Sequence, residues 1–298
     1  MDSSSSEFAH FLNIQYGISN TVPFSCVNNA AVSTLFLGDT PEGRKILIKR
    51  SLYGELCANE HVRGSELYLI DKRYFAEQLC YCDTPPFFFT AQAYMPGIRI
   101  IEAIKARCLT DEQKLILIED LRNIFLALKK SNVVHRDIHY NNILIHNGHL
   151  LLVDFQIAVQ KEGYQELDVY RNLLSLVNHR GYHLNCVAGW DDAHTLLGIL
   201  RLIGSAPLYE KIYAEIEQEI AAHIGTDTIW YPLPTGSQLR KKYILARLKS
   251  LFALKKKKRR QYRFQAKIYD FLTRYADVPP HARQFPLHNE FEEFYSAK

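Results

Sequence analysis

The chain has 298 residues, of which 47% are hydrophobic and 23% are charged, and its formal net charge at pH 7 is +4. This composition is typical of a folded globular protein and excludes a largely disordered chain. The N-terminal sequence MDSSSSEF lacks the basic start and apolar run of a secretory signal. No run of about 18 uninterrupted apolar residues follows it. We therefore expect a cytoplasmic protein that does not span a membrane.

The N-terminal third alternates short β-branched and aromatic runs with turn signals. We expect strands in the runs FSCVNNAAVSTLFL, KILIKR, QLCYC and FFFTAQAYM, and a turn at GDTPEG. One helical stretch, residues 54–71, interrupts this pattern. Residues 1–95 are therefore predicted to form a small N-terminal lobe with an antiparallel sheet and one helix.

From Thr110 onward the pattern becomes helical. Thr110 followed by Gln113 is a capping box, in which each side chain bonds the backbone N–H of the other residue. The helix that it opens carries one apolar face, formed by Leu115, Ile118, Leu121, Ile124, Phe125 and Leu128. Residues 96–298 are predicted to form a larger, mainly helical C-terminal lobe, so the expected class is α+β with two lobes.

Basic charge is concentrated in one segment, residues 240–267. It holds 13 Lys and Arg residues and no Asp or Glu, so the rest of the chain carries a net charge of −9. Apolar residues recur in this segment at helical spacing, at Tyr243, Ile244, Leu248, Leu251, Phe252 and Leu254. The segment is predicted to be helical, with a continuous basic run at residues 255–260.

The stretch VVHRDIHYNNILIHNGHLLLVDFQIAV, residues 133–159, holds polar residues at fixed spacing. His135, Arg136 and Asp137 are consecutive, Asn142 lies five residues after Asp137, and Asp154 lies twelve residues after Asn142. This pattern resembles the catalytic loop and the metal-binding motif of the protein kinase-like superfamily. The resemblance implies a two-lobed kinase-like fold and transfer of the γ-phosphate of ATP to a hydroxyl group.

The chemistry accounts for these residue types. Phosphoryl transfer needs a carboxylate beside the attacking hydroxyl and oxygen ligands for Mg²⁺ on the nucleotide phosphates. The resemblance assigns the first role to Asp137 and the metal to Asn142 and Asp154, whose oxygen atoms suit magnesium. The sequence between them predicts two short strands joined by a turn at Asn147-Gly148, which would let Asn142 and Asp154 converge on one cation.

The resemblance also implies a lysine that anchors the nucleotide and a glutamate that pairs with it. The strand KILIKR presents Lys49 as the expected lysine. We place its partner at Glu66 on the following helix, because the apolar residues three and four positions later give it the backing that such a helix needs. Glu60 is the rival position, and Glu55 is a weaker one.

Other parts of the chain bear on nucleotide binding. FTAQAYMPG is similar to the last strand and hinge of the family, so backbone atoms near Ala93 and Met95 are expected to meet the adenine of ATP. The usual glycine-rich phosphate loop is missing, because the corresponding residues 25–32 read SCVNNAAV. DFQ stands where DFG is usual, and Gln156 lacks the freedom of glycine at positive φ.

The sequence after DFQ narrows the acceptor. Only IAVQKEGYQEL separates Gln156 from Asp168, and no APE motif occurs, so the platform on which protein kinases dock a peptide is largely absent. Asp168 is either the buried aspartate that braces the catalytic loop or a simple charge at a helix N-terminus. His139 either touches the acceptor or lies on the loop surface, and we prefer the surface. The shortened segment, the compact N-terminal sheet and the HRD loop with degenerate glycines are together similar to the bacterial lipopolysaccharide-core kinases, which phosphorylate heptose or Kdo sugars.

This resemblance favours a phosphotransferase, a kinase that uses ATP and Mg²⁺ to phosphorylate a sugar of a lipopolysaccharide or glycolipid core at the cytosolic membrane face. Two alternatives stay open. One is a compact bacterial Ser/Thr protein kinase, and the other is a pseudokinase that binds nucleotide as a scaffold. The presence of Lys49, Asp137, Asn142 and Asp154 favours activity.

The basic segment 240–267 has three interpretations. A polybasic amphipathic helix fits an anionic membrane surface, which would make the protein peripheral at the inner face of the membrane. Nucleic acid is the less favoured partner and would bind with salt-sensitive affinity. The third interpretation is a solvated helix face without a partner.

Overall fold

The computed structural model describes residues 3–24, 33–162, 189–224, 229–230 and 235–275. The chain divides into two compact units. The first consists of Met1–Val169 and Asp192–Ala222, and the second of Tyr170–Asp191 and His223–Lys298. The predicted α+β class is confirmed, because an N-terminal antiparallel sheet is followed by a helical part, as in a two-lobed kinase-like fold. The lobe boundaries at 1–95 and 96–298 stay a prediction.

The N-terminal sheet has five antiparallel strands in the order β1-β2-β3-β5-β4. They are β1 Ser19–Pro23, β2 Ser33–Asp39, β3 Lys45–Ser51, β4 Gln78–Cys82 and β5 Phe88–Ala93. In the central strand β3, Lys49 pairs with Leu35 of β2 and with Thr90 of β5. Ile46 and Ile48 are buried. Because side chains alternate along a strand, Lys49 lies on the face opposite these two isoleucines.

A helix that the sequence analysis missed, α1 (Ser3–Tyr16), packs on this sheet. Phe8 and Leu12 are fully buried and join a cluster with Phe36 of β2 and Phe89 of β5. The ring centroid of Phe8 lies 5.2 Å from that of Phe36 and 5.9 Å from that of Phe89. The expectation of a single helix before residue 95 is therefore wrong. The available signal was the spacing of Phe8, Phe11 and Leu12, which places three apolar side chains on one helical face.

Helix α2 (Gly54–Ile70) lies within one residue of the predicted range. Its buried residues include Leu56, Cys57, Glu60, Gly64 and Leu67. A Cβ atom at Gly64 would lie 2.8 Å from the Gln78 side chain of β4, so only glycine permits this approach without movement of Gln78. Because α2 lies so close to the sheet, the carboxylate of Glu60 is buried.

The helical part of the first unit follows β5. Its described helices are α3 Ile100–Ala106, α4 Asp111–Ser131, α5 Asp192–Ile203 and α6 Glu210–Ala221. The predicted capping box opens α4, where Thr110 Oγ1 accepts the Gln113 N–H at 3.2 Å and Gln113 Oε1 accepts the Thr110 N–H at 2.9 Å. Five of the six residues predicted for its apolar face are buried, and Leu115 is half-buried.

Short strands carry the stretch that holds the motif residues. They are β6 Ile98–Arg99, β7 Val133–Val134, β8 Ile143–His146, β9 His149–Leu152 and β10 Val159–Gln160. Strands β6, β8 and β9 form one sheet, and β7 and β10 form another. The predicted hairpin between β8 and β9 is confirmed, since Asn147 and Gly148 have φ angles of 50° and 83°. Two positive φ angles are what a two-residue hairpin turn of type I′ requires.

The described part of the second unit contains one strand pair and two helices. The strands are β11 Gly189–Trp190 and β12 Ile229–Trp230, and the helices are α7 Gly236–Phe252 and α8 Lys256–Tyr275. The helices pack against each other. The basic segment 240–267 lies in these two helices and their connection. Among the described helices of both units, none combines the length and the hydropathy needed to cross a membrane.

The packing of α1 predicts a stability effect. Phe8→Ala should lower the free energy of unfolding by about 3 to 5 kcal/mol, because it removes a fully buried ring from a packed cluster. Ile14→Ala on the same helix is the matched control, since Ile14 is 62% exposed. It should change the free energy by less than about 0.5 kcal/mol. Urea unfolding followed by circular dichroism measures both, and equal losses would contradict the packing of α1 on the sheet.

Candidate active site

A buried ammonium group links three elements of the first unit. Lys49 Nζ of β3 lies 3.1 Å from Glu60 Oε1 of α2 and 2.6 Å from Oδ1 of Asp154, which lies shortly after β9. The second carboxylate oxygen of Glu60 accepts a hydrogen bond from Thr90 Oγ1 at 3.3 Å. The fold thus brings together Lys49 and Asp154, which are 105 positions apart in the sequence.

The partner of Lys49 on α2 is Glu60, and the prediction of Glu66 is wrong. Glu60 is 2% exposed, whereas the Glu66 side chain is 42% exposed and pairs with Arg63 at 2.6 Å. The physical reason is helical register, because six residues rotate a side chain by about 240° around the helix axis. The expected apolar backing is also absent at Leu69, which is 79% exposed.

Charge pairing decides the protonation of Lys49 and Asp154. Burial alone would lower the pKa of Lys49, but the carboxylates of Asp154 and Glu60 raise it above its ordinary value. Burial likewise acts to raise the pKa of Asp154, yet the ammonium of Lys49 holds that pKa below its ordinary value. Burial raises the pKa of Glu60 despite the same ammonium group. Lys49 and Asp154 are therefore an ion pair at neutral pH.

Hydrogen bonds in the loop after β7 place Asp137 beside Asn142. Asn142 Nδ2 donates to the backbone oxygen of Asp137 at 3.0 Å and to its Oδ2 at 3.2 Å. The N–H of Val153 donates to the backbone carbonyl of Asn142 at 3.0 Å. This last bond ties the loop to the residue that precedes Asp154. The structure therefore brings Asp137, Asn142 and Asp154 together, as the hairpin predicts.

His135 anchors the start of this loop and is fully buried. Its Nδ1 accepts the N–H of Asp137 at 3.2 Å, and its Nε2 lies 3.1 Å from the carbonyl oxygen of Val153. Because Nδ1 accepts, the proton of the neutral ring is on Nε2, which donates to Val153. Burial lowers the pKa of His135 to about 4. The imidazole is therefore neutral at pH 7 and holds both Asp137 and Val153.

Asp192, which the sequence analysis did not single out, braces the same loop. Its carboxylate accepts the backbone N–H groups of His135 at 2.6 Å and of Arg136 at 3.1 Å. Arg136 has a φ angle of 66°, an uncommon left-handed conformation for a residue with a side chain. The two bonds stabilise that conformation. Asp168, for which the sequence left open this role or that of a helix N-terminal charge, lies outside the described residues.

His139 lies nearer to the site than a surface residue would. Its side chain is 11% exposed, and its Nε2 lies 3.7 Å from Asp137 Oδ1. Its Nδ1 accepts the N–H of Asn141 at 3.1 Å, so in the neutral ring the proton is on Nε2, the atom nearest to Asp137. The preference for a surface position is therefore wrong, and His139 adds an N–H donor beside the carboxylate.

Helix α2 also holds the chain that follows Asp154. Asn59 Nδ2 lies 2.6 Å from the carbonyl oxygen of Ala158 and 3.0 Å from that of Gln156. Arg63 donates to Gln160 Oε1 at 2.9 Å. Because Asn59 adjoins Glu60, one turn of α2 positions both the partner of Lys49 and the segment after DFQ. No motif marks Asn59 or Arg63, so the sequence alone did not reveal them.

Asn142 and Asp154 fit a magnesium ion. The Asp154 side chain is 35% exposed, so its carboxylate is accessible from solvent although Lys49 pairs with it. Asn142 directs its amide nitrogen at Asp137, which leaves its amide oxygen as the atom that can ligate a cation. Mg²⁺ usually takes one or two carboxylate-type ligands from the protein and completes its shell with phosphate oxygens and water. Asp154 supplies one carboxylate, and Asn142 adds a neutral amide oxygen.

The residues expected to meet adenine lie at the end of β5. Ala93 pairs with Ile46 of β3, and its N–H donates to the carbonyl of Glu77 at 2.8 Å. The N–H of Ala93 is thus already used by the Glu77 carbonyl. Contacts of Ala93 and Met95 with adenine stay a prediction. The glycine-poor loop at residues 25–32 lies outside the described residues.

The buried His135 predicts a pH dependence of stability. Its pKa is about 4 in the folded chain and about 6.5 in an unfolded chain, so the unfolded state binds more protons between these values. The free energy of unfolding should therefore fall as the pH drops from about 6.5 towards about 4. The contribution of His135 to this fall should be about 3 kcal/mol. His135→Gln, which does not titrate, should show a shallower decline in urea unfolding. The same pH dependence in both proteins would contradict a buried neutral imidazole.

Comparison with known proteins places the chain among distant relatives. No protein-family model matches it. A protein named "Probable bifunctional tRNA threonylcarbamoyladenosine biosynthesis protein" from Methanosarcina acetivorans is 25% identical over 166 residues, which is 54% of this chain and 30% of that protein. A protein of the same name from Methanosarcina barkeri is 24% identical over 144 residues, 47% of this chain and 25% of that protein.

The match therefore spans less than a third of the length of either relative. Both relatives fit the protein kinase-like superfamily, and neither supports the narrower class of lipopolysaccharide-core kinases. The sequence motif and the observed fold agree on a two-lobed kinase-like arrangement, and the relatives are compatible with it.

Proposed function

We propose that this chain is a phosphotransferase that moves the γ-phosphate of ATP to a hydroxyl group in the presence of Mg²⁺. The observation that carries the proposal is a single cluster in the first unit. There the ion pair of Lys49 and Asp154, completed by Glu60, lies with the hydrogen-bonded pair of Asp137 and Asn142. The distant relatives that fit the kinase-like superfamily support it.

Each residue has surroundings that suit one role. Lys49 pairs with nucleotide phosphates while Glu60 keeps the ammonium group in position. Asp137, oriented by the Asn142 amide, accepts the proton of the attacking hydroxyl. Asp154 and Asn142 would hold the metal. When bound, Mg²⁺ neutralises charge on the phosphates of ATP.

The cluster favours an enzyme over a nucleotide-binding scaffold. Burial of the Glu60 carboxylate and the Lys49 ammonium group is costly even when the two groups pair. Burial already raises the pKa of Glu60, so the site holds a group that folding stability alone does not require. Such perturbed groups concentrate at functional sites. The chain keeps all four charged residues to which phosphate transfer assigns a role, namely Lys49, Glu60, Asp137 and Asp154.

For the acceptor, we propose a sugar hydroxyl of a lipid-linked glycan such as a lipopolysaccharide core. One support is the short sequence from Gln156 to Asp168, which contains no APE motif and leaves little chain for a peptide platform. A second support is His139, whose N–H donor beside Asp137 suits a polyhydroxylated acceptor. A compact Ser/Thr protein kinase is disfavoured by the first of these observations.

The names of the relatives favour a second candidate function. Both are named as tRNA threonylcarbamoyladenosine biosynthesis proteins. A role in tRNA modification, with ATP used at the same site, is therefore the alternative to a sugar kinase. The two candidates differ in the acceptor and share the roles of Lys49, Asp137 and Asp154.

Transfer of labelled γ-phosphate tests the proposal and separates the acceptors. The chain is incubated with ATP and Mg²⁺ and offered a glycolipid core extract, tRNA, generic proteins or no acceptor. Label should enter the lipid fraction, and Asp137→Asn should slow this transfer by about 10² to 10⁴-fold, because the base is lost. Asp71→Asn, a carboxylate that pairs with Arg73, is the matched control and should transfer at the wild-type rate.

Other outcomes decide against the sugar acceptor. Label that enters tRNA, or tRNA-stimulated ATP turnover, would establish the second candidate instead. Label in protein would establish a protein kinase. If MgATP binds and no label moves in any mixture, the scaffold is the correct account.

The assignment of Glu60 predicts a contrast between two variants of α2. Glu60→Gln should lower the rate of phosphate transfer by about 10²-fold, because Lys49 loses the charge that holds it in place. Glu66→Gln should leave the rate close to wild type, since its carboxylate pairs with Arg63. Steady-state rates at saturating ATP measure both. A larger loss in Glu66→Gln than in Glu60→Gln would overturn the assignment.

A further inference from the structure

Helix α7 has two apolar faces, and only one of them is covered in the second unit. Leu239 and Ala246 are buried, and α7 packs against α8. Ile244, Leu245, Leu248, Leu251 and Phe252 are all exposed, from 46% at Leu248 to 80% at Phe252. Their spacing places these five residues, named here the α7 stripe, on one side of the helix. Leu248 lies about 180° around the axis from Leu239, so the stripe faces away from α8.

Basic side chains border the α7 stripe on both sides. By helical rotation, Arg240 and Arg247 fall between the two apolar faces on one side, and Lys242 and Lys249 fall between them on the other. At the C-terminal end of the stripe, Leu254 is 97% exposed. It is followed by a basic run at residues 255–260, in which every side chain that the structure describes is exposed. The result is an aliphatic band inside a basic frame.

We propose that this surface binds an anionic lipid bilayer, with the α7 stripe at the boundary between headgroups and acyl chains. Aliphatic side chains gain free energy when they leave water for that boundary. Lys and Arg residues around them are attracted to anionic headgroups. The proposal goes beyond phosphotransfer and does not depend on it, because every residue of the surface lies in the second unit.

Two other occupants fit the surface less well. Nucleic acid attracts basic residues, but it stacks its bases on aromatic rings, and four of the five residues of the α7 stripe are aliphatic. Tyr262, one of the nearby aromatic residues, is half-buried and has Lys249 Nζ 5.9 Å from its ring centroid. A second copy of the chain would bring two sets of 13 basic residues together, and their repulsion opposes association.

Vesicle sedimentation with the full chain tests the proposal. The probes are vesicles of phosphatidylcholine alone and vesicles that also contain phosphatidylglycerol. The chain should sediment with the anionic vesicles and remain in solution with the neutral ones. Added salt should weaken the binding, because it screens the basic frame.

Two variants separate the apolar and the electrostatic contributions. The stripe variant is Leu248→Ser with Leu251→Ser and Phe252→Ser, and its control is Ile14→Ser with Leu208→Ser at other exposed positions. The charge variant is Lys255→Gln with Lys256→Gln, Lys258→Gln and Arg260→Gln, and its control is Lys105→Gln with Lys211→Gln. Arg259 is left unchanged because it donates to the Ala253 carbonyl.

Both test variants should bind anionic vesicles at least about tenfold more weakly than wild type. The charge variant loses basic residues that each contribute about fivefold to the affinity, and the stripe variant loses apolar side chains that leave water at the membrane boundary. Both control variants should bind as wild type does. Circular dichroism spectra and thermal midpoints should be unchanged in all four, because only exposed side chains are altered. ATP turnover should also be unchanged, so a failure of this proposal is distinct from a failure of the phosphotransfer site.

Three results would overturn the proposal. The first is no sedimentation with anionic vesicles, or equal sedimentation with both kinds. The second is a stripe variant that still binds both RNA and anionic vesicles, together with a charge variant that no longer binds RNA. This result would show a surface that binds polyanions through charge alone. The third is a dimer that the stripe variant dissociates, which would show that a second copy covers the stripe.

Discussion

The ammonium group of Lys49, held between Glu60 and Asp154, is the interaction on which the rest of the site depends. A buried ammonium group is stable only when opposite charge lies beside it. Here the two carboxylates come from a helix and from the chain after a hairpin, so one ion cluster fixes the positions of three elements. The cluster has more negative than positive charge when both carboxylates are ionised, which favours a cation at Asp154.

Helix α2 extends this constraint beyond the cluster. Through Asn59 it holds the carbonyl groups of Gln156 and Ala158, and through Glu60 it holds Lys49. A shift of α2 would therefore disturb the lysine and the segment after Asp154 together. Asp192 fixes the backbone of the loop that carries Asp137 by accepting the N–H groups of His135 and Arg136. The position of Asp137 therefore depends on neighbours that lie outside the charged cluster.

Local patterns predicted much of this arrangement, and long-range packing decided the remainder. Strands β2 to β5, the range of α2, the capping box at Thr110 and the turn at Asn147-Gly148 depend on residues close in sequence, so their signals are visible there. Strand β1 (Ser19–Pro23) lies outside the predicted runs. The choice between Glu60 and Glu66 depends on which face of α2 meets the sheet, which is set by packing against β4. The brace at Asp192 lies 57 positions from His135, and no local pattern connects the two. Helix α1 was missed because its serine-rich start obscured a short apolar spacing.

The most direct test of the central claim is the affinity for ATP measured with and without Mg²⁺, in wild type and in Asp154→Asn. If Asp154 and Asn142 hold the metal while Lys49 meets the phosphates, wild type binds MgATP more tightly than metal-free ATP. Removal of the Asp154 charge should abolish that difference, because the divalent ion loses its carboxylate ligand. A difference of the same size in Asp154→Asn, or no effect of Mg²⁺ on wild type, would contradict the account.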